Sequence, residues 1–136
     1  MAYDMYQERI LEHYRKPRNS GRLDHPDLSG RESNPLCGDQ IAIELKLDPT
    51  RSRIEDVRFS GEGCAISVAA ASLLTLQIKG KTIAEVVQLT PKDIEKMVGV
   101  PLSPVRIKCA MTSFAALGHA LHAPEKESPV SSPTGT

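Results

Sequence analysis

The segment IAIELKLDPTRSRIEDVRF, residues 41–59, constrains the fold of this chain more than any other. Apolar Ile41, Ile43, Leu45 and Leu47 fall at every second position, a polar turn follows at 48–52, and Ile54, Val57 and Phe59 come after it. Side chains alternate between the two faces of a strand, so this pattern predicts a β-hairpin with one buried face. The step from Ile54 to Val57 breaks the alternation and predicts a bulge near Asp56 or a register that starts later.

The flanks of the hairpin read as helices. From residue 2 to 14, Tyr3, Tyr6, Ile10, Leu11 and Tyr14 recur at three- and four-residue intervals, as one buried helical stripe would, and Pro17 stops that helix. Residues 18–36 are rich in Gly, Pro, Asn, Asp and Ser and read as a loop with room for one short strand. After GEGC, the run AISVAAASLLTLQIKG predicts a helix buried on most sides and closed by Gly80, with Cys64 at its N-terminus. Thr82 with Glu85, and Thr90 with Pro91 and Asp93, have the residue types of two further helix starts, the second ending at Gly99. PLSP is an extended break before a last helix whose apolar face is read as Val105, Ile107, Met111, Phe114, Ala115, Leu117 and Leu121.

At 136 residues the chain suits one domain, assigned to 1–123, followed by a Pro/Ser/Thr-rich tail at 124–136 expected to be disordered. Lys and Arg number 17 and Asp and Glu 17, so no basic field favours nucleic acid or an anionic membrane. No apolar run reaches the roughly 20 residues that span a bilayer, and the acid-containing start is unlike a secretory signal. The expectation is a soluble, cytoplasmic protein.

Cys37, Cys64 and Cys109 are too few for the disulfide framework of a small secreted domain. Buried free cysteine is the bland reading of each. Against it, all three fall where elements meet, before a strand, at a helix N-terminus and near the start of a helix, which are positions expected to be exposed. The end of a helix favours a thiolate at Cys64, and Arg106 and Lys108 add positive charge near Cys109. A metal ion would offset the repulsion of three thiolates, and Asp39 supplies a fourth ligand suited to zinc. In an extended segment Asp39 would project to the same side as Cys37, with Gly38 permitting close backbone approach.

The blocks HYRKPRNSG (13–21), NPLCGDQ (34–40), IEDVRFSGEGCAIS (54–67), ASLLTLQIKGK (71–81) and PVRIKCA (104–110) occur in order. Together they resemble the U-type iron–sulfur cluster assembly proteins, the IscU, SufU and NifU N-terminal family, over about residues 3–122. The resemblance implies an α+β domain of the SufE/NifU-like class, with a three-stranded antiparallel sheet packed against several helices. It also implies one exposed site made of Cys37, Asp39, Cys64 and Cys109, holding zinc or an iron ([2Fe–2S]) cluster. The implied partners are a pyridoxal-phosphate cysteine desulfurase and cluster-receiving apoproteins or other assembly factors, with Cys109 and Cys37 as the candidate persulfide acceptors. IscU-type members carry His before the third cysteine and a Leu-Pro-Pro-Val-Lys segment gripped by a chaperone, whereas this chain has Lys108 and only LSPVR. SufU-type members share the lysine and GEGCAIS, yet insert a segment that the 44 residues between Cys64 and Cys109 lack.

Two other functions fit some of these residues. A purely structural zinc module would use the same cluster without sulfur transfer. A thiol enzyme would pair a cysteine with His13, His25, His119 or His122 as base.

Overall fold

The hairpin forms as the alternation requires. The computed structural model describes residues 2–35, 38–99 and 101–122, with side chains from residue 8 onward. Strand β2 (Asp39–Leu47) pairs antiparallel with β3 (Ile54–Glu62), with Ile43 opposite Phe59 and Leu45 opposite Val57. The register shifts between Lys46, opposite Asp56, and Leu47, opposite Ile54, so Glu55 is the extra residue of the expected bulge. It restores Ile54 to the inner face beside Val57.

The 18–36 segment contains a full strand, β1 (Leu28–Asn34), paired antiparallel with β2 to give the sheet order β1-β2-β3. Its sequence LSGRESN carries almost no apolar signal because this edge strand is only half buried and its one inward-facing small residue, Gly30, replaces bulk with proximity. A Cβ at Gly30 would collide with the Ala116 carbonyl and the Ala120 amide of the last helix. Backbone lies against backbone there.

One face of the sheet is covered by α2 (Ala65–Ile78) and α5 (Pro104–His122). The core joins Ile41, Ile43, Leu45, Ile54, Val57 and Phe59 to Leu74, Ile78 and Leu117. Burying each such large aliphatic side chain contributes roughly 1.5–3 kcal/mol. Helix α1 (Ala2–Arg15) packs on α2, while α4 (Pro91–Val98) spans α2 and α5. The short α3 (Ile83–Val86) and α4 both begin with complete capping boxes, Thr82 with Glu85 and Thr90 with Asp93. Among the described residues no helix is long and apolar enough to cross a membrane. Residues 124–136, expected as a tail, lie outside the described residues.

Two helix faces differ from the sequence expectation. On α1 the buried side chains are Ile10 and His13, whereas Leu11 and Tyr14 are exposed; the side chains of Tyr3 and Tyr6 lie outside those described. On α5 the buried face is small or polar (Cys109, Ala110, Thr112, Ser113, Ala116, Ala120) with Leu117, and Val105 is exposed. Met111, Phe114 and Leu121 pack only at its margins. The reason is the close approach of α5 to β1 at Gly30 and to the Ala69–Ala70 region of α2, which leaves room for methyl groups but not for large side chains.

His13 has a polar partner that explains its burial. Its Nδ1 lies 2.7 Å from the Ser72 hydroxyl of α2, which also accepts the Arg18 backbone N–H at 2.9 Å. Burial, reinforced by Arg18 and Arg9, holds the His13 imidazole below its ordinary value of 6.5. The unfolded chain therefore binds this proton more readily, and the stability that neutral His13 provides is complete above pH 6.5 and is lost as pH falls through the depressed value. A thermal melt series should show a falling Tm below that pH, with this component reduced in His13→Asn. Gly30→Ala should destabilise the fold by about 1–3 kcal/mol in urea unfolding through overpacking against α5.

Candidate metal centre

Asp39 opens β2 directly after Gly38, whose φ of 69° is left-handed. Glycine adopts this left-handed conformation at no steric cost, so Gly38 turns the chain into β2. Cys37 itself lies outside the described residues.

Strand β3 delivers the second element. It ends at Glu62, and after Gly63 comes Cys64 as the N-cap of α2, with φ −71° and ψ 170°. The Cys64 backbone N–H donates to Asp39 Oδ1 at 3.0 Å. The Ser67 hydroxyl donates to the Cys64 carbonyl at 3.1 Å and lies 3.6 Å from its sulfur. Gly63 is where a side chain cannot fit, because a Cβ would collide with the Asp39 carboxylate and the Ser67 hydroxyl.

Helix α5 delivers the third. Cys109 is fully buried in its second turn, and one turn later the Thr112 hydroxyl donates to Asp39 Oδ2 at 3.3 Å. Ligand atoms of Asp39, Cys64 and Cys109 all lie within 4.8 Å of one another. No histidine belongs to this cluster among the described residues. His13 is held by Ser72, and His119 lies 2.7 Å from Glu32, so the arrangement of a cysteine with a histidine base is not assembled there.

The donor set fits a thiophilic cation. Tetrahedral bonds of about 2.3 Å to sulfur and about 2.0–2.2 Å to oxygen put ligand atoms roughly 3.3–3.8 Å apart. Closing the observed cluster to that size takes movements of the order of an ångström. Cysteine sulfur binds a metal as the thiolate. Cys64 carries a free thiol.

Burial differs from the expected exposed site. Asp39 is 1% exposed and Cys109 0%, with Cys64 partly covered. Cys109 stands near a helix start, but that part of α5 already packs inward, so proximity to an element end does not expose it. Arg106 and Lys108 keep their side chains at the surface. Sequence reasoning missed Thr112, Gly63 and Ser67. For Thr112 the available signal is its position three residues after Cys109, on the same side of a helix.

The chain is thus an α+β domain whose cysteine and carboxylate side chains gather where β2, the start of α2 and α5 meet. The chain belongs to the family described as the NifU-like N terminal domain, whose model matches residues 5–128. It is 38% identical over 130 residues to the zinc-dependent sulfurtransferase SufU of Bacillus subtilis, covering 83% of this chain and 86% of that protein. It is 40% identical over 113 residues to the iron–sulfur cluster assembly scaffold protein IscU of Aquifex aeolicus, covering 82% and 71%. Among solved structures it resembles a candidate iron–sulfur cluster assembly scaffold protein for the SUF system from Fervidobacterium islandicum, with a TM-score of 0.72 and 26% identity over 89% of this chain and 99% of that one.

The steric role of Gly63 can be checked directly. Gly63→Ala should displace the Asp39 carboxylate and cost about 1–3 kcal/mol in urea unfolding.

Proposed function

We propose that this protein serves iron–sulfur cluster assembly: it accepts sulfur from a pyridoxal-phosphate cysteine desulfurase and either assembles a [2Fe–2S] cluster or, with zinc bound, relays the sulfur onward. The observation that carries this reading is the meeting of Asp39, Cys64 and Cys109 within 4.8 Å in a chain of the NifU-like family. Cys37 completes the proposed set of four. Relatives named as a zinc-dependent sulfurtransferase and as a cluster scaffold support both outcomes of the same site. Cluster-receiving apoproteins or other assembly factors are the proposed onward partners.

A bound zinc ion would hold the thiolates together and stabilise their charge. The sulfur step itself belongs to the protein's own thiols. A thiolate of Cys109 or Cys37 attacks the terminal sulfur of the desulfurase persulfide; one S–S bond forms as the desulfurase S–S bond breaks, and the desulfurase departs as a thiolate. Electrons balance without an added oxidant or reductant. Cys109 is fully buried, so transfer to it requires the surrounding residues to open, whereas Cys64 is already partly accessible. Asp39 contributes a hard oxygen among soft sulfurs and thus the most exchangeable bond to a thiophilic cargo.

The test is anaerobic reconstitution of the reduced protein with iron, cysteine and a desulfurase, followed by visible spectroscopy, metal analysis and desulfurase turnover. A coloured species containing iron and sulfide, or a colourless zinc protein that accelerates the desulfurase, is the expected result. Zinc binding that supports folding, with no sulfur accepted and no gain in desulfurase turnover, would instead make this a structural zinc module.

A further inference from the structure

Asp39 is a carboxylate buried to 1% exposure, yet each oxygen has a donor: Cys64 N–H on Oδ1 at 3.0 Å and the Thr112 hydroxyl on Oδ2 at 3.3 Å. Thr112 is itself buried, at 3% exposure, and belongs to the same helix as Cys109. Its hydroxyl proton has a second acceptor within reach, the Lys108 carbonyl at 3.3 Å, so the group is satisfied whichever oxygen it faces. Thr112 also lines a shallow groove with Asn34, Ile107, Lys108 and Met111, beside the site.

We infer that Thr112 is a positioning residue for the metal centre: its hydroxyl orients the Asp39 carboxylate so that this side chain is preset to act as a ligand. The inference rests on the Asp39-containing site proposed above. The sign follows from the count of lone pairs. A carboxylate offers about four acceptor positions, and the two hydrogen bonds use two, which leaves positions open to a cation. Thr112 therefore does not compete with the metal. It removes the freedom of the Asp39 side chain that binding would otherwise have to restrict, and a donor to a ligating carboxylate typically strengthens metal affinity by 10–100-fold. The Thr112 hydroxyl reaches the centre through Oδ2 of Asp39, with the Lys108 carbonyl as its other acceptor.

The experiment compares the reduced full-length protein with Thr112→Val, which keeps the shape and loses the hydroxyl, Thr112→Ser, which keeps the hydroxyl, and Asp39→Ala. Each is loaded with zinc and its release to a chromophoric chelator is timed; each is also loaded with cobalt, whose visible bands report ligand type and geometry. Thr112→Val should release zinc about tenfold faster with altered cobalt bands, while Thr112→Ser returns to within about twofold of the parent. Adding Thr112→Val to Asp39→Ala should produce no further loss, because both act through one carboxylate. Thr112→Ala carries the same expectation should the valine variant not fold. Release from Thr112→Val at the parent rate or slower, or from Thr112→Ser as fast as from Thr112→Val, overturns the inference. If Asp39→Ala releases zinc quickly but Thr112→Val does not, only the role of Thr112 is lost. If Asp39→Ala itself releases zinc at the parent rate, the reading of Asp39 as a ligand falls, and the positioning role with it.

Discussion

The Asp39 carboxylate is the tie on which the centre depends. It belongs to the first residue of β2, yet it holds the backbone at the start of α2 through Cys64 and the body of α5 through Thr112. A buried carboxylate is costly unless its oxygens are occupied, so these donors stabilise the charge as much as the charge fixes them. Three elements far apart in sequence thus share one hydrogen-bonded junction, and the thiols of Cys64 and Cys109 are carried to it by the backbone that the junction organises.

The rest of the fold supplies the rigidity that such a junction needs. The inner face of the hairpin packs against α2 and α5, and the small residues of α5 permit that helix to lie directly on the β1 backbone at Gly30. Gly63 performs the equivalent service at the site, where absence of a side chain makes room for the carboxylate. The same principle, bulk removed where two backbones or a charge must approach, explains why the surface of α5 facing the core is so poor in large apolar residues. Close packing then transmits the position of α5, and with it Cys109 and Thr112, to the sheet.

Much of this was legible beforehand for reasons that are local. Ile41, Ile43, Leu45 and Leu47 announce a strand because the period of two is a property of the chain itself, and Thr82 and Thr90 announce helix starts because a capping box lies within four residues. The cluster of Asp39, Cys64 and Cys109 was legible through residue chemistry and family resemblance. Strand β1 was legible only as one short strand within a loop, since LSGRESN pairs by backbone hydrogen bonds and, apart from Leu28, packs through a glycine. The buried face of α1 was misread because Leu11 and Tyr14 look more apolar than His13, which is buried only by virtue of Ser72, 59 residues away.

By itself the sequence determined the hairpin, the order of helices and the capping boxes, because each depends on residue type or on spacing within a few residues, whereas the candidate donors at 39, 64 and 109 were singled out through family resemblance. Tertiary structure alone decided that Asp39 and Cys109 are buried, that Gly38 turns where a straight strand was expected, and that Thr112 reaches Asp39 across 73 residues of chain. Burial and long-range hydrogen bonding are set by how β2, α2 and α5 pack against one another, a property of the assembled layers that no local period or propensity encodes.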